Sequence, residues 1–214
     1  MKHHPLILRT EQVQAILDGR KTQDRKLIKY PLKCPTHHIS IGESYSGPIL
    51  EWSPYQPGDL LYVKETWQET TWLHQMDENY GYIYQASENG KDWEANDEEF
   101  VWKSPAIMPK SAARIWLEIT NVRTERLQDI TEEDAIKEGV KAIKVFNINK
   151  ESYEIRYRDY KRKDSHHPKS RYYNSPVASF KSLWQSIHSP ESWQKNDWVW
   201  VREFKVLSTT GKNF

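Results

Sequence analysis

Cysteine is almost missing from this sequence: Cys34 stands alone among 214 residues. One thiol cannot form an intramolecular disulfide, which fits a reducing compartment, and Cys34 reads as a structural thiol ahead of a nucleophile. No apolar run approaches the ~18 residues of a membrane span. Near the start only Pro5-Leu6-Ile7-Leu8 is apolar, too short for a signal peptide, so a cytoplasmic location without membrane contact is expected. An excess of charge is lacking too, with 31 basic against 30 acidic residues and a formal net charge of +1. That balance argues against a long-duplex DNA binder, whereas a local basic patch is enough for a short or single-stranded nucleic acid. There is no phosphate-binding Gly-rich loop, no Gly-x-Ser-x-Gly elbow and no Cys-x-x-Cys pair. The histidines (His3-His4, His37-His38, His166-His167, His74 and His188) share no ligand spacing with Cys34 or the carboxylates, so neither a metal nor another cofactor is expected.

Aromatic residues are plentiful: ten Trp, twelve Tyr and five Phe. Most suit pleated, half-buried surfaces, and the same rings can stack on bases. A chain of this length suits one large domain or two small ones and buries about 70% of its unfolded surface, so it needs no staples. Residues 6–8 read as a strand. Thr10 is a suitable N-cap, Val13, Ile16 and Leu17 share a helical face, and Gly19 can end that helix. Pro57-Gly58-Asp59 is a turn that launches a strand over residues 60–67. Residues 80–86 and 113–126 read as further strands around an acidic loop at 87–99. Thr131 opens a short helix, with Asp134 as an approximate capping box and Gly139 as its stop. Residues 150–175 are a basic, Tyr-rich interruption. Pro176 starts a helix whose stripe is Val177, Phe180, Leu183, Trp184 and Ile187, and residues 197–207 close the chain as a strand. Strands dominate, so the expectation is a single α+β domain over residues 1–214: a small, mixed, mostly antiparallel β-barrel with a few flanking helices.

Gly19-Arg20-Lys21-Thr22-Gln23-Asp24-Arg25-Lys26 carries the densest chemistry. Four cations, a hydroxyl and a carboxylate share one loop after a helix. Such a loop can hold a phosphate through cations and backbone N–H groups, or it can be a solvated basic end that complements the helix dipole. This segment resembles the signature of the ASCH family in the PUA-like superfamily, Gly-x-Lys-x-x-(Glu/Thr)-x-Arg. Four further segments resemble phage and prophage ASCH proteins, in the same order. They are Tyr55-Gln56-Pro57-Gly58-Asp59 running into Val63-Lys64-Glu65-Thr66-Trp67; Met108-Pro109 with Ala113-Arg114-Ile115; Arg126-Leu127-Gln128-Asp129-Ile130-Thr131-Glu132-Glu133-Asp134-Ala135 ending in Glu138-Gly139; and the tail from Phe180 to Phe204 with Trp184, Trp193, Trp198 and Trp200. Residues 141–175 match nothing in that pattern.

The resemblance implies a PUA-like barrel that binds RNA or a modified nucleoside. It also implies two alternatives: a hydrolase using the same cleft, and a non-catalytic phage accessory protein that binds a host protein. The hydrolase would be an amidohydrolase acting on N(4)-acetylcytidine, or a ribonuclease. In the amidohydrolase the active groups are the motif lysine, a threonine three residues on, and a glutamate of the short helix. The lysine falls on Lys21 and the glutamate on Glu138. Asp24 holds the threonine position and Lys26 that of the motif arginine, beside Arg25. Asp24 is no hydroxyl nucleophile, but a carboxylate can activate water. With two carboxylates near it, Lys21 stays charged and serves as an electrostatic stabiliser. Gly19, Arg20, Thr22, Arg25 and Lys26 are the expected ligand-binding rim. Glu65 and Arg114 are expected to line the barrel mouth next to Lys21 or simply to pair across strands, and Trp67 to stack on a base.

A second basic region is independent of that pattern. Arg156, Arg158, Lys161, Arg162 and Lys163 interleave with Tyr157 and Tyr160, and Lys169 and Arg171 lie beside Tyr172 and Tyr173. Cations for phosphates and rings for bases make a single-strand binding surface; the same composition also fits a solvated loop.

Overall fold

A computed structural model describes residues 1–29, 53–69, 81–87, 101–147, 149–161 and 172–211. Cys34, His37, His38, His74, His166, His167, Arg162 and Lys163 lie outside the described residues. In chain order the strands are β1 (His3–Ile7), β2 (Gln23–Leu27), β3 (Leu60–Lys64), β4 (Trp67–Glu69), β5 (Tyr82–Tyr84), β6 (Trp116–Arg126), β7 (Ala142–Asn147), β8 (Ser152–Arg158), β9 (Tyr172–Tyr173) and β10 (Trp198–Ser208). The α-helices are α1 (Thr10–Leu17), α2 (Glu132–Lys137), α3 (Pro176–Ile187) and α4 (Pro190–Lys195). The architecture is α+β with mostly antiparallel strands, and no closed barrel is present among the described residues. None of the described helices is long and apolar enough to cross a membrane.

The chain divides into two compact units. The first holds residues 1–19, 57–119 and 204–214. Here β1 runs parallel to β3, with His3 opposite Leu60 and Ile7 opposite Lys64. The start of β6 pairs antiparallel with β3, Tyr62 opposite Trp116. Alternation decides the buried face: Leu61 and Val63, like Leu117 and Ile119, are fully buried. The expected strand over 60–67 is two strands, broken at Glu65–Thr66, where the Glu65 side chain is buried. The turn at Pro57-Gly58-Asp59 forms as expected. Gly58 has φ +88°, its N–H donates to the Ile119 carbonyl (2.8 Å), and Asp59 accepts from the Lys2 backbone N–H (2.6 Å). Helix α1 begins one residue earlier than expected. Thr10 is inside it and its hydroxyl donates to Gln85 (2.6 Å), while the Arg9 N–H is met by the Gln12 side chain (3.2 Å).

The second unit holds residues 20–56 and 120–203. Its sheet runs β6, β10, β2, and β2 is antiparallel to β10 with Asp24 opposite Arg202 and Arg25 opposite Val201. Phe180, Trp184, Trp193, Leu127, Ile130, Val140, Val199 and Val201 form its core. Burying each large side chain contributes roughly 1.5–3 kcal/mol. Helix α3 follows the sequence pattern, with Pro176 in its first turn and Phe180, Leu183 and Trp184 buried. Residues 141–161 and 172–173 are not a structureless interruption: β7, β8 and β9 form an antiparallel sheet with Phe146 opposite Tyr153 and Arg158 opposite Tyr172. Part of the signal was present, because 152–158 alternates as Ser152-Tyr153-Glu154-Ile155-Arg156-Tyr157-Arg158, but 142–147 does not and the basic composition masked the rest.

Candidate functional site: a buried ion network around Lys21

The motif segment has two parts. Gly19, in the positive-φ region at +72°, turns the chain out of α1; no side chain adopts that conformation cheaply. Residues 20–22 then clamp onto the C-terminal end of α2. The Thr22 N–H donates to the Lys137 carbonyl (2.9 Å), Arg20 Nη1 to the Gly139 carbonyl (2.6 Å), and Lys21 bridges Glu138 as an isolated antiparallel pair. Cations therefore meet carbonyls that a helix end leaves unpaired. Helix α2 itself is started by Thr131, whose hydroxyl accepts from the Asp134 N–H (3.1 Å), and ends at Glu138 and Gly139 (φ +89°).

From Gln23 onward the segment is strand β2, not loop. Its side chains Gln23, Asp24 and Arg25 are buried although none is apolar. Their partners explain it. Lys21, 0% exposed, donates through Nζ to Glu138 Oε2 (2.8 Å), to the Gln23 carbonyl (2.8 Å) and to the Glu138 carbonyl (3.3 Å), with Asp24 Oδ1 at 3.4 Å. Arg25 donates to Glu138 Oε1 (2.9 Å) and Asp134 Oδ2 (3.2 Å) and pairs with Glu125. Arg123 joins Asp134 (2.6 Å), Glu203 (2.5 Å) and Glu125 (3.2 Å). Arg202 donates through Nη2 to Asp24 Oδ2, its register partner on β10. Four cations and five carboxylates thus interlock. Charges taken from water are tolerated only when each finds a close partner, so the segment is stable as a network or not at all.

The electrostatics follow from the contacts. Burial alone pushes the Lys21 pKa down, but Glu138 and Asp24 outweigh it and hold the ammonium above its ordinary value. Burial pushes the Asp24 carboxyl up, and Lys21 and Arg202 outweigh that and hold it below the ordinary carboxylate range. Lys21 is accordingly a cation and no nucleophile. Both Glu138 oxygens accept from cations, and both Asp24 oxygens face cations. Arg202 differs from the rest. It is 1% exposed, its guanidinium lies over the Tyr55 ring (4.6 Å), and its Nε and Nη1 have no hydrogen-bond partner among the described residues. Those N–H groups can receive an acceptor oxygen or nitrogen. Thr22 and Lys26 are the exposed rim, with Lys26 Nζ 5.7 Å from the centre of the Tyr55 ring.

The other expected residues fall elsewhere. Glu65 and Arg114 belong to the first unit and form a bidentate pair, both bonds 2.9 Å, with Arg114 4.2 Å from the Tyr84 ring centre. Burial raises the Glu65 pKa, opposed by Arg114, and burial with Glu65 raises that of Tyr84. Trp67 is 3% exposed, packed edge-on to Tyr82 (5.5 Å) with Lys103 Nζ over its ring (5.0 Å). Its faces are spent on core packing, which leaves none for a base. Arg156 is paired to Glu154 (2.6 Å), Arg158 lies over Tyr160 (5.5 Å), and Lys161 is exposed. Asp134 does not reach back to complete a capping box; its carboxylate is taken by Arg25 and Arg123.

Sequence reasoning missed Arg202, Arg123, Glu125 and Asp134 as members of the site. For Arg202 a signal existed, since an arginine inside Val199-Trp200-Val201-Arg202-Glu203-Phe204 is a charge on an apolar strand and calls for a buried partner. Among the described residues no group of three or more His, Cys, Asp or Glu side chains is arranged to hold a metal ion. No family model, curated protein or solved structure matches the chain.

Proposed function

We propose that this chain is an ASCH-type, PUA-like protein that binds RNA or a modified nucleoside, with the Lys21 network as the frame of its ligand site. The supporting observation is convergence. Lys21, Asp24 and Glu138, singled out from a motif and a helix 117 residues apart, meet within hydrogen-bonding or ion-pair distance. In this reading Lys21 is a positioning residue. It has spent its donors on Glu138 and Gln23, so it orients the segment and does not touch the ligand. The receiving groups are the Nε and Nη1 of Arg202, with Lys26 and Thr22 at the rim. A buried guanidinium with unmet N–H groups suits the carbonyl and ring-nitrogen acceptors of a nucleobase, or a phosphate oxygen.

The hydrolytic reading of the same residues has weaker support. A general base needs a carboxylate able to take a proton from water. Asp24 is held ionised by Lys21 and Arg202, and Glu138 gives one oxygen to Lys21 and the other to Arg25. Calorimetric titration of cytidine, N(4)-acetylcytidine and their 5′-monophosphates into the full chain, with acetate release followed in parallel, tests both readings. The expected result is binding without turnover, weakened at least tenfold by Arg202→Met and less by Arg202→Lys. Acetate release would move the assignment to the amidohydrolase. Absence of binding to all four compounds would overturn the nucleoside site.

A further inference from the structure

The β7–β8 hairpin carries a surface that the Lys21 network does not use. Residues opposite one another across an antiparallel pair share a face, and the register puts Lys144 with Ile155 and Phe146 with Tyr153. In this polar molecule Phe146 is 50% exposed, Ile155 57% and Tyr153 72%. The two rings meet edge to face, with centres 5.2 Å apart, and both remain half or more open to solvent. Lys144, Tyr153, Glu154 and Ile155 line an open depression of about 500 Å³ beside them.

Charge decides what suits this face. Residues 141–161 hold six cations (Lys141, Lys144, Lys150, Arg156, Arg158 and Lys161) against Glu151, Glu154 and Asp159. That segment is +3 in a chain of net +1, so the rest of the chain is −2. Glu154 is already neutralised: Lys150 (2.8 Å), Arg156 (2.6 Å) and Asn147 (3.0 Å) hold its carboxylate, and these bonds lower its pKa to about 2. Lys144 has no acidic partner among the described residues and stands on the same face as the rings.

We infer that this outer face of β7 and β8 is a stacking platform for single-stranded nucleic acid, with Phe146 and Tyr153 taking successive bases and Lys144 a phosphate. Aromatic rings beside unpaired cations are the elements of sequence-tolerant single-strand binding. A partner protein with an acidic surface would not account for two half-exposed rings in edge contact, whereas a base has a π-face for each. The inference rests on the RNA-binding reading above and extends it to a second surface built from the segment that matches no family pattern.

The test uses the full chain and a 5′-fluorescein-labelled, mixed-sequence, twelve-nucleotide single-stranded RNA, followed by anisotropy between 50 and 200 mM salt. F146A/Y153A is expected to weaken binding by about tenfold or more. It should leave the salt slope in place and the far-UV circular dichroism unchanged. Lys144→Ser is expected to reduce the slope of log affinity against log salt by about 0.7. Equal affinity of wild type and F146A/Y153A overturns the platform. So does a wild type that binds N(4)-acetylcytidine but not the RNA, and in that case the nucleoside site stands. Failure to bind either ligand removes the RNA reading and the platform with it. A wild-type dimer in sedimentation velocity that F146A/Y153A dissociates would reassign the face to a second copy and also overturn the inference.

Discussion

Residues 19–26 and residues 141–161 are both rich in cations, yet they put them to opposite uses. In the first segment Lys21 and Arg25 are buried and matched by acids brought from elsewhere in the chain, Glu125, Asp134 and Glu138, and the buried Asp24 is matched by Arg202. In the second Phe146, Tyr153 and Ile155 are half or more exposed, and Lys144 and Lys161 face solvent. A basic run in a sequence therefore has two physical fates. Buried, it is a structural frame whose failure unfolds its unit; exposed, it is a surface whose removal leaves the fold alone.

Breaking the buried side of that comparison should give the largest effects. Arg25→Met leaves Glu125, Asp134 and Glu138 without their shared cation, and urea unfolding should show a loss of about 3–5 kcal/mol. Lys21→Met should fall in the same range. The Asp24–Arg202 pair sharpens the point. Arg202→Met or Asp24→Thr alone should lose about 1–3 kcal/mol, because each leaves a buried charge short of a partner. The double variant should lose less than the sum, with a coupling of about 0.5–3 kcal/mol in a double-mutant cycle.

Stability against pH gives a third test, with signs fixed by the two pKa directions. Asp24 is held below its unfolded value, so its contribution is present above pH ~3.9 and disappears as pH falls through the lower folded value. Lys21 is held above its unfolded value, so its contribution is complete below pH ~10.4 and disappears as pH rises through the higher folded value. Lys21→Met should shrink both arms of the profile, whereas Arg202→Met should shrink the acid arm alone. The smallest effect belongs to the exposed side. F146A/Y153A should change the unfolding free energy from urea titration by less than about 1 kcal/mol, the scale of one cross-strand aromatic pair.

Much of the fold is readable from the residues where a single period dominates. Helix α3 is written in Phe180, Leu183 and Trp184, helix α2 in Thr131 and Gly139, and β10 in the apolar run of Trp and Val from Trp198. Strand β2 is not readable, because Gln23, Asp24 and Arg25 carry no apolar alternation and are held in a sheet by ion pairs that only tertiary structure supplies. Helix α4 is too short to show a period. The site divides in the same way. Lys21, Asp24 and Glu138 come from a motif and a short helix, while Arg123, Glu125 and Asp134 sit in ordinary polar surroundings and reveal their role only where β6 and α2 face β2. Trp67 is the opposite case: an aromatic in a motif suits ligand stacking, and the structure packs it into a core cluster.

The most direct measurement is a pH titration of the Lys21 side chain by heteronuclear NMR, assigned with Lys21→Arg and read through its 15Nζ and 13Cε shifts. The expected result is an ammonium that does not titrate at or below the ordinary lysine range, near pH ~10.4, and whose shifts move when Glu138 is changed to Gln. A Lys21 amine that loses its proton near neutrality, or one indifferent to Glu138→Gln, would contradict a charged lysine clamped between two acids.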